Sequence, residues 1–149
     1  MKDGIGIIYV GATTETELME KKDRIDDAVC ATKAAQEEGV IAGGGTTLLL
    51  IGFRSGKLPD IGEEIVYNAL KAPFVQILNN SGFELAEFAA KLNGTDYGYG
   101  INAKNGELVN MFEAGIIDPT KVARVALENA ASVACLFLTT ECVSYEKEA

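Results

Sequence analysis

Histidine and tryptophan are absent from this 149-residue chain, its three cysteines form no C-x-x-C pair, and it has only three prolines. Without histidine there is no Ser-His-Asp or Cys-His relay and no imidazole metal ligand, so much hydrolase chemistry is excluded. Aromatic residues are only 7% of the chain, which leaves few stacking platforms for single-stranded nucleic acid. Cys30, Cys135 and Cys142 are an odd number of thiols that do not cluster with other metal ligands. They suit a reducing, cytoplasmic compartment and read as small apolar core groups, so no structural metal site is expected. Long hydrophobic runs are missing too. Residues 39–53 are broken by glycine and threonine, and Ala130 to Leu138 falls short of the roughly 18 apolar residues of a membrane span. At the start, Asp3 lies beside Lys2 and no cleavage site follows, so a signal peptide is not expected.

Acidic side chains number 22 against 13 basic, a net charge of −9. That balance repels nucleic-acid backbones and anionic membranes, and neither is an expected partner. A small phosphate remains admissible, because backbone N–H groups or a helix N-terminus can hold it whatever the global charge. A chain of this length buries roughly 68–70% of its unfolded surface, enough for one core without metals or disulfides.

The pattern along the chain predicts a mainly α protein with small β elements. Ile5 to Val10 is β-branched and ends at Gly11, which predicts a strand. Thr14 followed by Glu17 is a capping-box signature, and the next helix breaker is Gly39, so one helix is expected from Glu15 to Glu38. At 1.5 Å per residue it would span roughly 36 Å, long enough to connect two bodies. Its stripe of Leu18, Ile25, Val29 and Thr32 leaves Asp27 on another face. The glycine turn Gly43-Gly44-Gly45 opens an apolar helix at Thr46. Pro59 lies in a polar connection. Ile61 to Ala72 and Pro73 to Asn80 predict two short helices, and Glu84 to Leu92 another. From Asn93 the composition shifts to Gly, Asn and Tyr, and a hairpin is expected from Tyr97–Asn102 and Gly106–Val109, turning at Asn105-Gly106. Asp118 reads as an N-cap with Pro119 in the first turn of a helix running to Leu138, and Glu141 to Val143 as a short strand.

Each candidate motif has a plain structural reading beside a functional one. Gly43-Gly44-Gly45-Thr46-Thr47 could cradle a phosphate, yet it matches neither the Walker A nor the G-x-G-x-x-G spacing and could be a simple turn. Asp26-Asp27 could orient water or sit on a solvated helix face. Asp118 could meet a ribose hydroxyl or only cap a helix.

Taken together the segments change those odds. Val10-Gly11-Ala12-Thr13, Arg24-Ile25-Asp26-Asp27-Ala28, Glu37-Glu38-Gly39-Val40-Ile41-Ala42-Gly43-Gly44-Gly45, Ala72-Pro73, Tyr97-Gly98-Tyr99, Asn102-Ala103, Gly115-Ile116-Ile117-Asp118-Pro119-Thr120-Lys121-Val122 and Thr139-Thr140-Glu141-Cys142 occur in order over nearly the whole chain. This array resembles the C-terminal portion of a group I chaperonin of the GroEL type. The resemblance implies residues 1–39 as the C-terminal half of an intermediate, hinge domain and residues 40–149 as the C-terminal half of an equatorial, ATP-binding and ring-contact domain. It places the family's catalytic aspartate at Asp27 and a nucleotide-contacting glycine at Gly44. Asn102, Ala103 and Lys104 fall on the base pocket, with Lys104 departing from the expected small residue, while Ile116 falls on the base and Asp118 on the ribose.

The cofactor so implied is ATP with Mg2+, its metal ligands expected from the other half of the subunit. The family's Gly-Asp-Gly-Thr-Thr phosphate loop does not occur in these residues; Gly44-Gly45-Thr46-Thr47 echoes it without the aspartate. The implied partners are other ring subunits, unfolded clients and a co-chaperonin. The chain by itself is expected to be neither a competent chaperone nor an efficient ATPase. A second reading, from another class, is a helical oligomerisation or interaction module that binds no nucleotide.

Overall fold

The computed structural model describes residues 5–54, 60–92 and 94–144. The connection carrying Pro59, the residue Asn93, the first four residues and the charged tail lie outside them. Helix α1 spans Glu15–Glu38, as its capping signals predict. The Thr14 hydroxyl accepts from the Glu17 amide at 3.3 Å, and a Glu17 carboxylate oxygen accepts from the Thr13 amide at 3.2 Å. The first bond satisfies an N–H that a helix start leaves without a partner, and the second ties the Glu17 carboxylate back to the residue before the cap. Gly39 closes the helix at φ 82°, donating its N–H to the Ala35 carbonyl at 2.8 Å.

The chain continues through β1 (Val40–Ala42), a tight turn at residues 43–45, and α2 (Thr46–Arg54). Next come α3 (Ile61–Asn80), α4 (Leu85–Leu92), the hairpin of β2 (Tyr99–Asn102) and β3 (Glu107–Asn110), then β4 (Ile117–Pro119) and α5 (Thr120–Leu138). Strands β1 and β4 pair antiparallel with Ile41 opposite Asp118, and β2 pairs antiparallel with β3.

Several expectations are corrected. Residues 5–10 form no strand. A strand is stabilised by a paired neighbour, and among the described residues nothing pairs with this segment, whose Ile5 and Tyr9 are 95% and 90% exposed. Pro73 starts no new helix but lies inside the 20-residue α3. Proline removes the hydrogen bond to the carbonyl four residues back. Here both Pro73 and Ala69 are exposed, so water can take that bond while Phe74 and Leu78 on the opposite face are buried. The hairpin turns through the four residues 103–106 rather than two, since Asn102 faces Glu107. Residues 141–143 form no strand. The three cysteines are exposed and so contribute nothing to a core.

The core sits among α2, α3, α4 and the hairpin. Leu49, Phe74, Leu78, Phe88, Leu92 and Ile101 form one buried cluster, with Phe83 and Leu85 packed on it. Phe83 meets Phe88 edge to face with ring centroids 5.6 Å apart, the geometry favoured by the ring quadrupoles. The glycine turn is locked against this body, because a Cβ on Gly45 would lie 2.8 Å from the Phe74 backbone nitrogen. Helices α1 and α5 have no buried residue.

Candidate functional site

The site is built around the short ribbon of β1 and β4. Asp118 was expected to cap α5; instead it lies in β4 opposite Ile41, and Pro119 occupies the cap position without a side-chain hydrogen bond. Pairing with a segment far away in sequence holds Asp118 extended, a constraint that local capping rules do not contain. One step beyond the ribbon, the Gly43 amide donates to the Ile116 carbonyl at 2.9 Å and the Ile116 amide donates to the Met111 carbonyl at 2.8 Å. A Cβ on Gly43 would come within 3.1 Å of that Ile116 carbonyl group. Gly44 differs: its φ is 63°, and a Cβ would meet only the Met111 methyl, at 3.8 Å. Gly44 is therefore required by backbone conformation, Gly43 by close packing, and Gly45, with φ 73°, by both.

Helix α1 supplies the opposite wall. Its Ile25, Ala28, Val29 and Thr32 border an apolar groove of about 570 Å³ with Ile8. Asp27 lies on the other face, and there a cleft of about 820 Å³ opens between α1 and the β4–α5 segment. Asp27 and Asp118 both line it, together with Cys30, Lys33 and Asn129. Both carboxylates are exposed and so reachable from solvent.

The other predicted residues do not line this cleft. Gly44 and Ile116 lie at the turn beyond the ribbon. Asn102, Ala103 and Lys104 belong to the hairpin end, where the Asn102 side-chain oxygen already accepts from the Lys104 amide at 3.0 Å. The seven candidates thus fall into three groups: the cleft pair, the turn pair adjoining the ribbon, and the hairpin end.

Sequence reasoning missed the clamp between the two long helices. Arg124 on α5 donates Nε and Nη2 to the two Glu38 carboxylate oxygens at 3.0 and 2.6 Å, and Nη1 to Glu128 at 2.9 Å. Lys121 pairs with Glu37 beside it. The Arg124 hydrogen bonds hold the Glu38 carboxyl below its ordinary 4.5, and Glu38 and Glu128 raise the guanidinium further above its already high range. No local signal announces such pairs, whose partners lie more than eighty residues apart in sequence. Thr46, named in the glycine-turn motif, has a buried hydroxyl with no hydrogen-bond partner among the described residues, which the sequence did not show.

Comparison with known proteins defines the class. The chain matches the TCP-1/cpn60 chaperonin family over residues 2–148 and belongs to that family. It is also similar to a group III chaperonin whose crystal structure shows the open state, with a TM-score of 0.77 and 30% identity. That match covers 91% of this chain and 30% of the other, so the chain spans less than a third of that chaperonin. The fold is a mainly helical fragment of the chaperonin equatorial type.

Two exposed carboxylates on a wide cleft suit hydroxyl and water ligands, which donate hydrogen bonds to them. Among the described residues no group of three or more acidic or thiol side chains is placed to hold a metal ion. The described residues therefore do not make a magnesium site by themselves.

Proposed function

We propose that the chain is the C-terminal part of an ATP-dependent protein-folding chaperonin subunit of the group I type, acting in the cytoplasm. In this reading residues 1–39 are half of the intermediate domain and residues 40–149 half of the equatorial domain. The observation that carries it is the cleft shared by Asp27 and Asp118, which come from distant parts of the chain. The ordered sequence blocks around Asp27 and Gly44 support the group I assignment.

Phosphoryl transfer to water depends on positioning and on neutralising charge at the γ-phosphate. Asp27 is the acid that accepts a hydrogen bond from the attacking water and orients it. Asp118 accepts from a ribose hydroxyl, Ile116 packs on the base, and Gly44 lets the backbone approach the nucleotide. Asn102, Ala103 and Lys104 border the base from the hairpin. A phosphate loop and the ligands of Mg2+ come from the other half of the subunit, so the chain alone turns over ATP poorly and folds no clients. Ring neighbours, unfolded proteins and a co-chaperonin are partners of the complete subunit.

Purified chain should show no Mg-ATP turnover alone. Mixed with the complementary segment that carries the phosphate loop, it should show turnover that Asp27→Asn abolishes. Undiminished turnover in the Asp27→Asn mixture would overturn the assignment. A second reading, a helical interaction module without nucleotide, draws on α5, where Leu136, Phe137 and Leu138 are 66%, 69% and 86% exposed. Protection of the Gly44 and Asp118 amides by Mg-ATP in hydrogen exchange would count against it.

A further inference from the structure

The Asn105-Gly106 pair has no part in the proposed nucleotide chemistry, yet it carries chemistry of its own. An asparagine followed by glycine is the dipeptide most prone to lose its amide, because no Cβ hinders the backbone nitrogen that attacks. The Gly106 nitrogen bonds to Asn105 Cγ as the N–H proton passes to water, and the Cγ–Nδ2 bond breaks to release ammonia. One water then opens the resulting succinimide to aspartate or isoaspartate. Asn105 is exposed at the hairpin end, open to the water this needs.

The folded loop ties both reacting groups to other partners. The Gly106 N–H donates to the Asn102 carbonyl at 2.8 Å. Asn105 Nδ2 donates to a Glu107 carboxylate oxygen at 2.6 Å, and Asn105 Oδ1 accepts from the Glu107 amide at 3.2 Å. Attack requires the Gly106 N–H to leave the Asn102 carbonyl and the Asn105 side chain to turn from the Glu107 carboxylate, whose charge also opposes the build-up of negative charge on the nitrogen.

We propose that Asn105-Gly106 is a deamidation site latched by Glu107, so that loss of the amide is timed by opening of the hairpin loop. The reaction cannot be relatched. Once Asn105 becomes an acid, a second carboxylate faces Glu107 where the amide had donated, and like charges at that separation repel. Each event leaves the loop looser and the hairpin end more acidic.

The test incubates the full chain and a free peptide of residues 102–108 at neutral pH and 37 °C, following amide-to-acid conversion by mass spectrometry and isoaspartate by enzymatic methylation. The intact chain should react several-fold more slowly than the peptide. Glu107→Ala should accelerate the chain by about three- to tenfold, the factor carried by one ordinary hydrogen bond in an exposed loop. Glu107→Gln, which keeps an acceptor without the charge, should fall between. Equal rates in chain and peptide, or a Glu107→Ala rate no faster than wild type, would overturn the latch. Hydrogen exchange at Ile101 and Leu108 shows whether the variant keeps its hairpin; if it does not, the comparison of wild-type chain with peptide decides alone.

Discussion

The body formed by α2, α3, α4 and the β2–β3 hairpin and the arm formed by α1, β1, β4 and α5 are held together by different forces. In the body, Phe74, Leu49 and Leu92 are 1%, 0% and 0% exposed. In the arm both helices lack a buried residue, and the polar contacts between its elements include a three-pair ribbon and two ion pairs. Apolar burial is worth several times more per residue than an exposed ion pair. The body therefore takes more of its stability from buried apolar packing, and the arm more of its own from hydrogen bonds and ion pairs.

The largest expected effect tests the body. Phe74→Ala removes a fully buried aromatic ring and should lower stability by about 3–5 kcal/mol, read as a fall in the urea midpoint. The same truncation at Leu127 in α5, 42% exposed, should cost far less. Equal losses would erase the distinction between the two regions. Gly45→Ala comes next: its φ of 73° and the 2.8 Å approach to Phe74 should together cost about 2 kcal/mol by the same measurement.

The smallest effect sharpens the arm. Arg124→Ala removes exposed ion pairs that solvent screens, so its effect on the urea midpoint should be the smallest of the three. Because the folded Glu38 carboxyl lies below its ordinary 4.5, its stabilisation is present above that pH and is lost as pH falls through the lowered value. The difference in urea midpoint between wild type and Arg124→Ala should accordingly shrink on acidification below 4.5 and with added salt. A difference independent of both would assign Arg124 a packing role instead.

What was legible in the sequence follows the range of the forces involved. Helix α1 could be bounded from Thr14, Glu17 and Gly39 because capping bonds act within four residues. The hairpin strands and α2 were likewise carried by local pattern. The start of α5 was misread because Asp118 answers to Ile41 across the ribbon, and Ile5 to Val10 was misread because a strand pattern states a preference without supplying a partner. At the site, Asp27 could be placed on a separate face of α1 from helical periodicity alone. That this face meets Asp118 across one cleft depends on how α1 and α5 cross, which ion pairs between distant residues help to fix.

At the junction of the long helices, the Thr120 amide opening α5 donates to the carbonyl of Gly39, the residue that closes α1, at 3.1 Å. The end of one rod is thereby pegged to the start of the other, with Glu38 and Arg124 alongside as a brace. Leverage follows from length. Turning α1 by about 5° on that peg sweeps the far end of a roughly 36 Å rod through about 3 Å. Asp27, nearer the middle, travels about half as far, so a small tilt at the peg sets how wide the cleft stands between its two carboxylates.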